Sequence, residues 1–290
     1  VNITTEATGE ALIPSHLDPT VISTQSGSLN PFRAISRVVS VTSNVWNGVS
    51  APAISASWDS EGAEVSDDSP IFAAPSVTCH KGQAFIPVTQ EALEDIGNLG
   101  AEVSKLFADA KDNLEATAFA TGSGSGQPKG IVTALTGSAN ETAMATNSSF
   151  AVGDIFSASE ALPVAYRANS SWLMNQVHIN DIREFGGSNF YTRTVTLDQG
   201  PSGSILGRPV YESSALSSTL DGDTNLNIVL GDFSNFLIAD RIGATVSYVP
   251  HLFAVGNNRP NGQSGWNMHW RTGSDAVNAT AFVLLYNPST

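Results

Sequence analysis

From Thr89 to Leu114, apolar residues recur at Ala92, Ile96, Leu99, Val103, Leu106, Ala110 and Leu114, in steps of three and four. That is the period of an α-helix, and it lays one apolar stripe along some 26 residues. At roughly 1.5 Å per residue the helix would run about 40 Å, longer than a compact domain of this size requires. Thr89 stands where an N-cap belongs. Glu91, Glu94 and Asp95 follow in the early turns, where the macrodipole favours negative charge. Gly97 and Gly100 each weaken the helix by about 1 kcal/mol relative to alanine, which predicts a bend near them.

What precedes this helix has little with which to build a core. Residues 1 to about 35 are polar, carry scattered Pro14, Pro19 and Pro31, and show no sustained period. They read as an extended arm that must lie on something else. Residues 36–46, rich in β-branched side chains, read as a strand. Two further strand-like pieces, Ala53 to Trp58 and Ser76 to His80, flank an acidic tip from Asp59 to Pro70. This pattern predicts a long projecting β-hairpin. A two-stranded hairpin is only marginally stable alone, so another chain is expected to support it.

Beyond the helix, Thr121 to Gly130 (TGSGSGQPKG) marks a break into a new region. Helices are then predicted at Asp154–Tyr166 and His178–Phe185, with a strand at Ser171–Met174 between them. Further strands are predicted at 210–211, 227–230, 236–238, 245–249 and 281–286. The class is α+β, with no internal repeat.

Composition narrows the functional classes. Of 290 residues, 41% are hydrophobic and only 14% charged, against roughly 25% charged in an average globular chain. Many neutral groups therefore need cover, and neighbouring subunits are one source of it. The net charge is −14, only four lysines occur (Lys81, Lys105, Lys111, Lys129), and no basic run exists. Such a surface repels phosphate backbones, which argues against direct nucleic-acid binding and is compatible with a container that must not trap its cargo. The lone Cys79 excludes an internal disulfide and a multi-thiolate metal site. The apolar run Ala281–Tyr286 falls far short of the roughly 20 residues a membrane span needs. The first residue is Val1, which leads to the expectation that an N-terminal segment is removed.

No catalytic, cofactor-binding or metal-binding set emerges. The glycine-rich run lacks the Walker order, because Lys129 follows Pro128 and precedes Gly130; it also lacks G-x-G-x-x-G and follows a helix, where nucleotide loops follow a strand. His16, His80, His178, His251 and His269 are scattered without ligand spacing. Cys79 and His80, as adjacent strand residues, face opposite ways, so Cys79 reads as buried and inert. No G-x-S-x-G elbow exists. Asp221 to Asn225 resembles the start of a calcium loop with Asp232 at its twelfth place, but Leu226 sits where the turn glycine belongs. An acidic surface turn is the expectation there.

Four stretches, in order, resemble the tailed-bacteriophage major capsid family with the Hong Kong 97 fold. They are Phe119 to Val132, Tyr166 to Asn175 with the helix after it, Ile205 to Val210, and Asn227 to Phe233 running on to Gly243. Trp270-Arg271 followed by Asp275 to Leu285 adds a weaker fifth. The resemblance implies an N-terminal arm at 1–36 and a projecting hairpin, the E-loop, at 46–78. It implies a peripheral domain from 37–45, 79–125 and 241–275, and an axial domain from 126–240 and 276–290. The turn Ser217 to Asn225 falls at the family's loop near the capsomer axis.

In function, the resemblance implies a non-enzymatic subunit without cofactors that self-assembles as pentamers and hexamers. The icosahedral shell would enclose packaged double-stranded DNA without sequence-specific binding. Expected partners are further copies of itself, a scaffold, a maturation protease, a portal and a cement protein, with no membrane. Assembly is expected in the host cytoplasm and the mature location in the virion. Residues 46–78 hold no lysine for the isopeptide weld that some members make, so locking is expected to be noncovalent. Trp46, Ile54, Trp58 and Phe72 are the candidate intersubunit contacts. Rival readings are an encapsulin-type nanocompartment shell and, from a different class, an acidic extracellular hydrolase or carbohydrate-binding domain.

Overall fold

The computed structural model describes residues 30–51, 56, 58, 60–62, 64, 71–95, 99–147, 149–184, 203–219, 228–253, 256 and 259–288. These fall into two compact units. Phe85–Ala108 with Ser247–Asn267 make the smaller, and the other described residues make the larger.

The larger unit opens on a helical turn, α1 (Phe32–Ile35), followed by β1 (Arg37–Ser40), β2 (Val45–Asn47) and β3 (Ser76–Thr78). The strand expected over 36–46 is thus two short ones. After β4 (His80–Thr89) come α2 (Gln90–Asp95) and α3 (Leu99–Thr121). Thr89 ends β4 and helix begins at the next residue, Gln90, where the N-cap reading expects it; at roughly 1.5 Å per residue α3 runs about 35 Å. Gly97 lies outside the described residues.

The core is built around a six-stranded mixed sheet in the order β5 (Glu141–Ala143), β12 (Phe282–Tyr286), β9 (Ile228–Gly231), β6 (Ser171–Met174), β8 (Arg208–Glu212), β7 (Ser204–Ile205). Its central strands β12, β9 and β6 are buried almost throughout. Strand period 2 then divides their side chains between two apolar layers. Trp172, Met174, Ile228, Leu230, Val283 and Leu285 join α5 (Val152–Ala161) and α7 (Gln176–Glu184) on one face. Leu173, Val229, Phe282 and Leu284 join Phe32, Phe119 and α4 (Ile131–Leu135) on the other. Both faces covered by helices explains why these strands read as continuous apolar runs. The helix expected over 154–166 is broken at Pro163, which separates α5 from α6 (Val164–Arg167). β7 and β8 are joined by Leu206 and Gly207, both at positive φ (53° and 74°), the geometry of a two-residue hairpin turn.

A second sheet has the order β1, β10 (Phe236–Val249), β11 (Gln263–Ala276), β4. The two strands expected at 236–238 and 245–249 are one continuous strand of fourteen residues. β4 and β11 escaped the periodicity reading because each mixes glycine, polar and aromatic residues and owes its pairing to distant partners.

Within the smaller unit, Gln90 N–H donates to Gly262 O at 3.1 Å and Leu252 N–H to Gln263 O at 2.9 Å. Tyr248 and Trp266 pack with their rings tilted at 52°, 4.9 Å between centroids. Val103 and Phe107 are buried.

Candidate assembly surface

β2 and β3 pair antiparallel with Trp46 opposite Val77. The same register continues outward through Gly48 N–H to Pro75 O (2.9 Å) and the bridge between Ser50 and Ala73, whose two bonds are both 2.8 Å. Side chains alternate between faces of such a ribbon. Trp46, Ser50, Ala73 and Val77 share one face. At its root Val77 is buried with Cys79, Leu237 and Ala239, and Trp46 packs against that cluster. The other face carries Val49 and Phe72, which are 80% and 66% exposed. Ile71 (84%) and the fully exposed Trp58 add to the uncovered apolar surface. Of the four candidate contacts, Trp46 therefore meets its own chain, Trp58 and Phe72 point to solvent, and Ile54 lies outside the described residues. Its own chain thus leaves these apolar side chains of the ribbon bare.

The residues just before β1 are fastened unexpectedly well. Asn30 Nδ2 donates to Asp112 Oδ1 at 3.0 Å. Phe32 is completely buried, edge-on to Phe119 at 6.1 Å and tilted against Phe236 at 5.8 Å. Arg33 donates through Nε to Glu115 Oε2 (2.7 Å) and through its two Nη atoms to Asp240 (2.7 and 3.2 Å). Its guanidinium also lies 5.8 Å from the Phe119 ring centroid. Lys111 Nζ stands 3.3 Å from the other Glu115 oxygen. Burial opposes the Arg33 charge, yet the bonds to Asp240 and Glu115 outweigh it and hold its pKa above the ordinary arginine value. Burial likewise pushes the Asp240 carboxyl up, but hydrogen bonds from Arg33 and Thr272 and the charge of Arg33 outweigh it, leaving the carboxyl below its usual range. Glu115 occupies a buried position on α3 where the periodicity placed Leu114, which is 53% exposed. The predicted stripe is correct at Val103 and rotates off by Leu114; the buried face continues through Phe107, Glu115, Ala116 and Phe119. A paired carboxylate is invisible to an apolar pattern, so this node was missed. Its only sequence signal was Arg33 beside Phe32 at the end of an otherwise polar arm.

The glycine-rich run closes α3. Gly122 N–H donates to Ala118 O, Gly130 N–H to Gly122 O, both at 2.9 Å, and Lys129 N–H to Ser274 O at 3.2 Å. With these three amides bonded to backbone carbonyls, the loop is a tight return turn. A side chain at Gly130 would meet Gly122 N at 2.5 Å and Ala120 O at 2.6 Å, so the turn closes only because both are glycine. Cys79 is buried, its Sγ 3.4 Å from Ala239 O, and burial, then the nearby Asp240 charge, push its thiol pKa up. His178 is fully buried, with Nδ1 3.2 Å from Asp181 and Nε2 3.0 Å from Ser217 O. Asp232 caps Ser234 N–H at 3.0 Å; Asp221 to Asn225 lie outside the described residues. Among the described residues no group of three His, Cys, Asp or Glu could hold a metal, and no helix is long and apolar enough to cross a membrane.

The profile of the Phage capsid family matches residues 9–286. The chain belongs to that family. This capsid protein is thus a structural component of a virion shell and not an enzyme. Its fold matches solved structures over 95 to 100% of their length. The capsid of a native GTA particle, computed with C5 symmetry, aligns with a TM-score of 0.81 at 23% identity, covering 100% of both chains. A chain from Gordonia phage Cozz aligns at 0.69 and 14% identity, covering 99% of this chain and 95% of that one. One from Mycobacterium phage Bobi aligns at 0.68 and 16% identity over 100% of each. At such identities the likeness is one of fold. No curated protein matches the chain.

Proposed function

We propose that this capsid protein assembles as pentamers and hexamers into an icosahedral shell that encloses double-stranded DNA. Maturation includes N-terminal processing, and the finished shell is locked without covalent welds. The observation that carries the reading is the ribbon: a segment rooted in its own body through Val77 and Trp46 that leaves Val49, Trp58, Ile71 and Phe72 bare. Burying such a face is worth roughly 25 cal/mol per Å² of apolar surface, repeated at every equivalent contact of a closed shell. Trp58, Phe72 and Ile54 are the contacts to a neighbouring subunit. The peripheral domain is drawn from 37–45, 79–125 and 241–275, and the axial domain from 126–240 and 276–290. The net charge of −14 suits an inner wall that does not hold its DNA.

Electron microscopy and sedimentation of the purified chain test this reading. Closed shells of uniform size are expected; a species that stays at 30.3 kDa under all assembly conditions would overturn it. Intact mass of the subunit from mature particles, set against its full reading frame, tests processing. On denaturing electrophoresis mature particles are expected to give a single monomer band, and a ladder of covalent multimers would refute noncovalent locking.

A further inference from the structure

The larger unit holds an open cavity of about 240 Å³ beside the C-terminal half of α3. Its walls include Leu114, Ala118, Pro128 and Trp270; Lys81 and Gln127 stand among its polar lining, and so does Glu115, whose charge is met by Arg33 and Lys111. A cavity of about 150 Å³ is enough for a benzene ring, so this one has room for one large aromatic side chain and little more. It is smaller than the roughly 300 Å³ at which small-molecule sites begin. Leu114 is half exposed here although its position on the helix is one the apolar period assigns to a core. Lys81 is exposed, with no ion-pair partner among the described residues.

Trp58, the largest bare apolar side chain of the ribbon, has complementary surroundings. It is followed by Asp59, Glu61 and Glu64, and no basic residue occurs from residue 46 to residue 78. In a chain of net charge −14, most surfaces of two copies repel each other. An acidic ribbon with one exposed indole, set against a mainly apolar cavity rimmed by an exposed lysine, is a pairing in which both size and the sign of charge agree.

We propose that this cavity receives Trp58 from the ribbon of a second copy, with the carboxylates beside Trp58 facing Lys81. The contact is heterologous, since a ribbon on one copy meets a body on the next, and it therefore propagates around a ring of copies. It rests on the shell reading above and specifies which surface holds the ribbon.

The experiment uses the full chain carrying Ser60→Cys and Ser125→Cys, which leaves Trp58 and the cavity walls intact, because Ser125 is exposed beside the cavity and not part of its lining. The native Cys79 is buried and does not compete. A short bismaleimide added to assembled shells is expected to give a ladder of linked subunits that either single variant lacks. Shells that form normally yet give no ladder overturn the proposed seat while leaving the shell reading standing. Failure of the wild-type chain to form shells overturns the shell reading and this one with it. Independently, Leu114→Glu places a carboxylate at the mouth of the cavity, at a position already half exposed. At least a tenfold loss of shells with an unchanged melting temperature of the unassembled subunit is expected; wild-type shell yield would sink the proposal.

Discussion

At the residue scale, the Arg33 node shows how one ion-pair cluster can decide the course of a segment. Glu115 has only 2% of its side chain exposed, and removing its principal partner leaves a nearly buried charge with Lys111 alone. Arg33→Ala is therefore expected to lower unfolding stability by about 3 kcal/mol, measured by chemical denaturation of the unassembled subunit. The pH dependence has a definite sign. Because the folded Asp240 carboxyl titrates below its unfolded value, its contribution is fully present above the unfolded carboxylate pKa. That contribution is lost as pH falls through the depressed folded value. Asp240→Asn should thus be less stable than wild type at neutral pH, with the gap closing as the solution is acidified below about pH 4. A gap that stays constant across that range would contradict the linkage. At Cys79, burial predicts that a thiol reagent labels the chain only once it is unfolded.

At the element scale, the return turn after α3 and the ribbon behave differently because one is packed and the other is bare. Gly130→Ala forces a methyl group against backbone atoms of Ala120 and Gly122 that cannot swing aside. A loss of about 2 kcal/mol is expected in the denaturation midpoint, with no change in the surface offered to partners. Phe72→Ser touches a side chain already 66% exposed. It should leave the melting temperature of the free subunit within about a degree or two while reducing assembly. The elements also show where periodicity fails. It found β6, β9 and β12, because strands buried on both faces must be apolar throughout. It missed β4 and β11, whose mixed composition is tolerable only beside particular neighbours. It placed the helix start at Thr89, and the first helical residue is the next one, Gln90, although the β4 ladder runs up to Thr89 itself.

At the scale of the whole molecule, charge sets the conditions for association. Each subunit brings a net −14, and bringing copies together concentrates like charge. Raising ionic strength from about 0.01 M to about 0.15 M shortens the screening length from about 30 Å to about 8 Å. Shell yield, followed by light scattering, is expected to rise over that interval. A yield that falls would mean that attraction between opposite charges, such as the one proposed at Lys81, dominates assembly over general repulsion.

Sequence alone determined the α+β class, the absence of a disulfide and the thinness of the hairpin, because each follows from local composition and period. It also determined the family, through short stretches whose order is itself a local property of the chain. Tertiary structure decided which face of α3 is buried, because a carboxylate enters a core only when a cation from a distant segment meets it. It likewise decided which side of the ribbon turns to its own body and which is left bare. Both choices depend on residues some 80 to 200 positions apart coming within hydrogen-bond reach, and no local pattern encodes such a meeting.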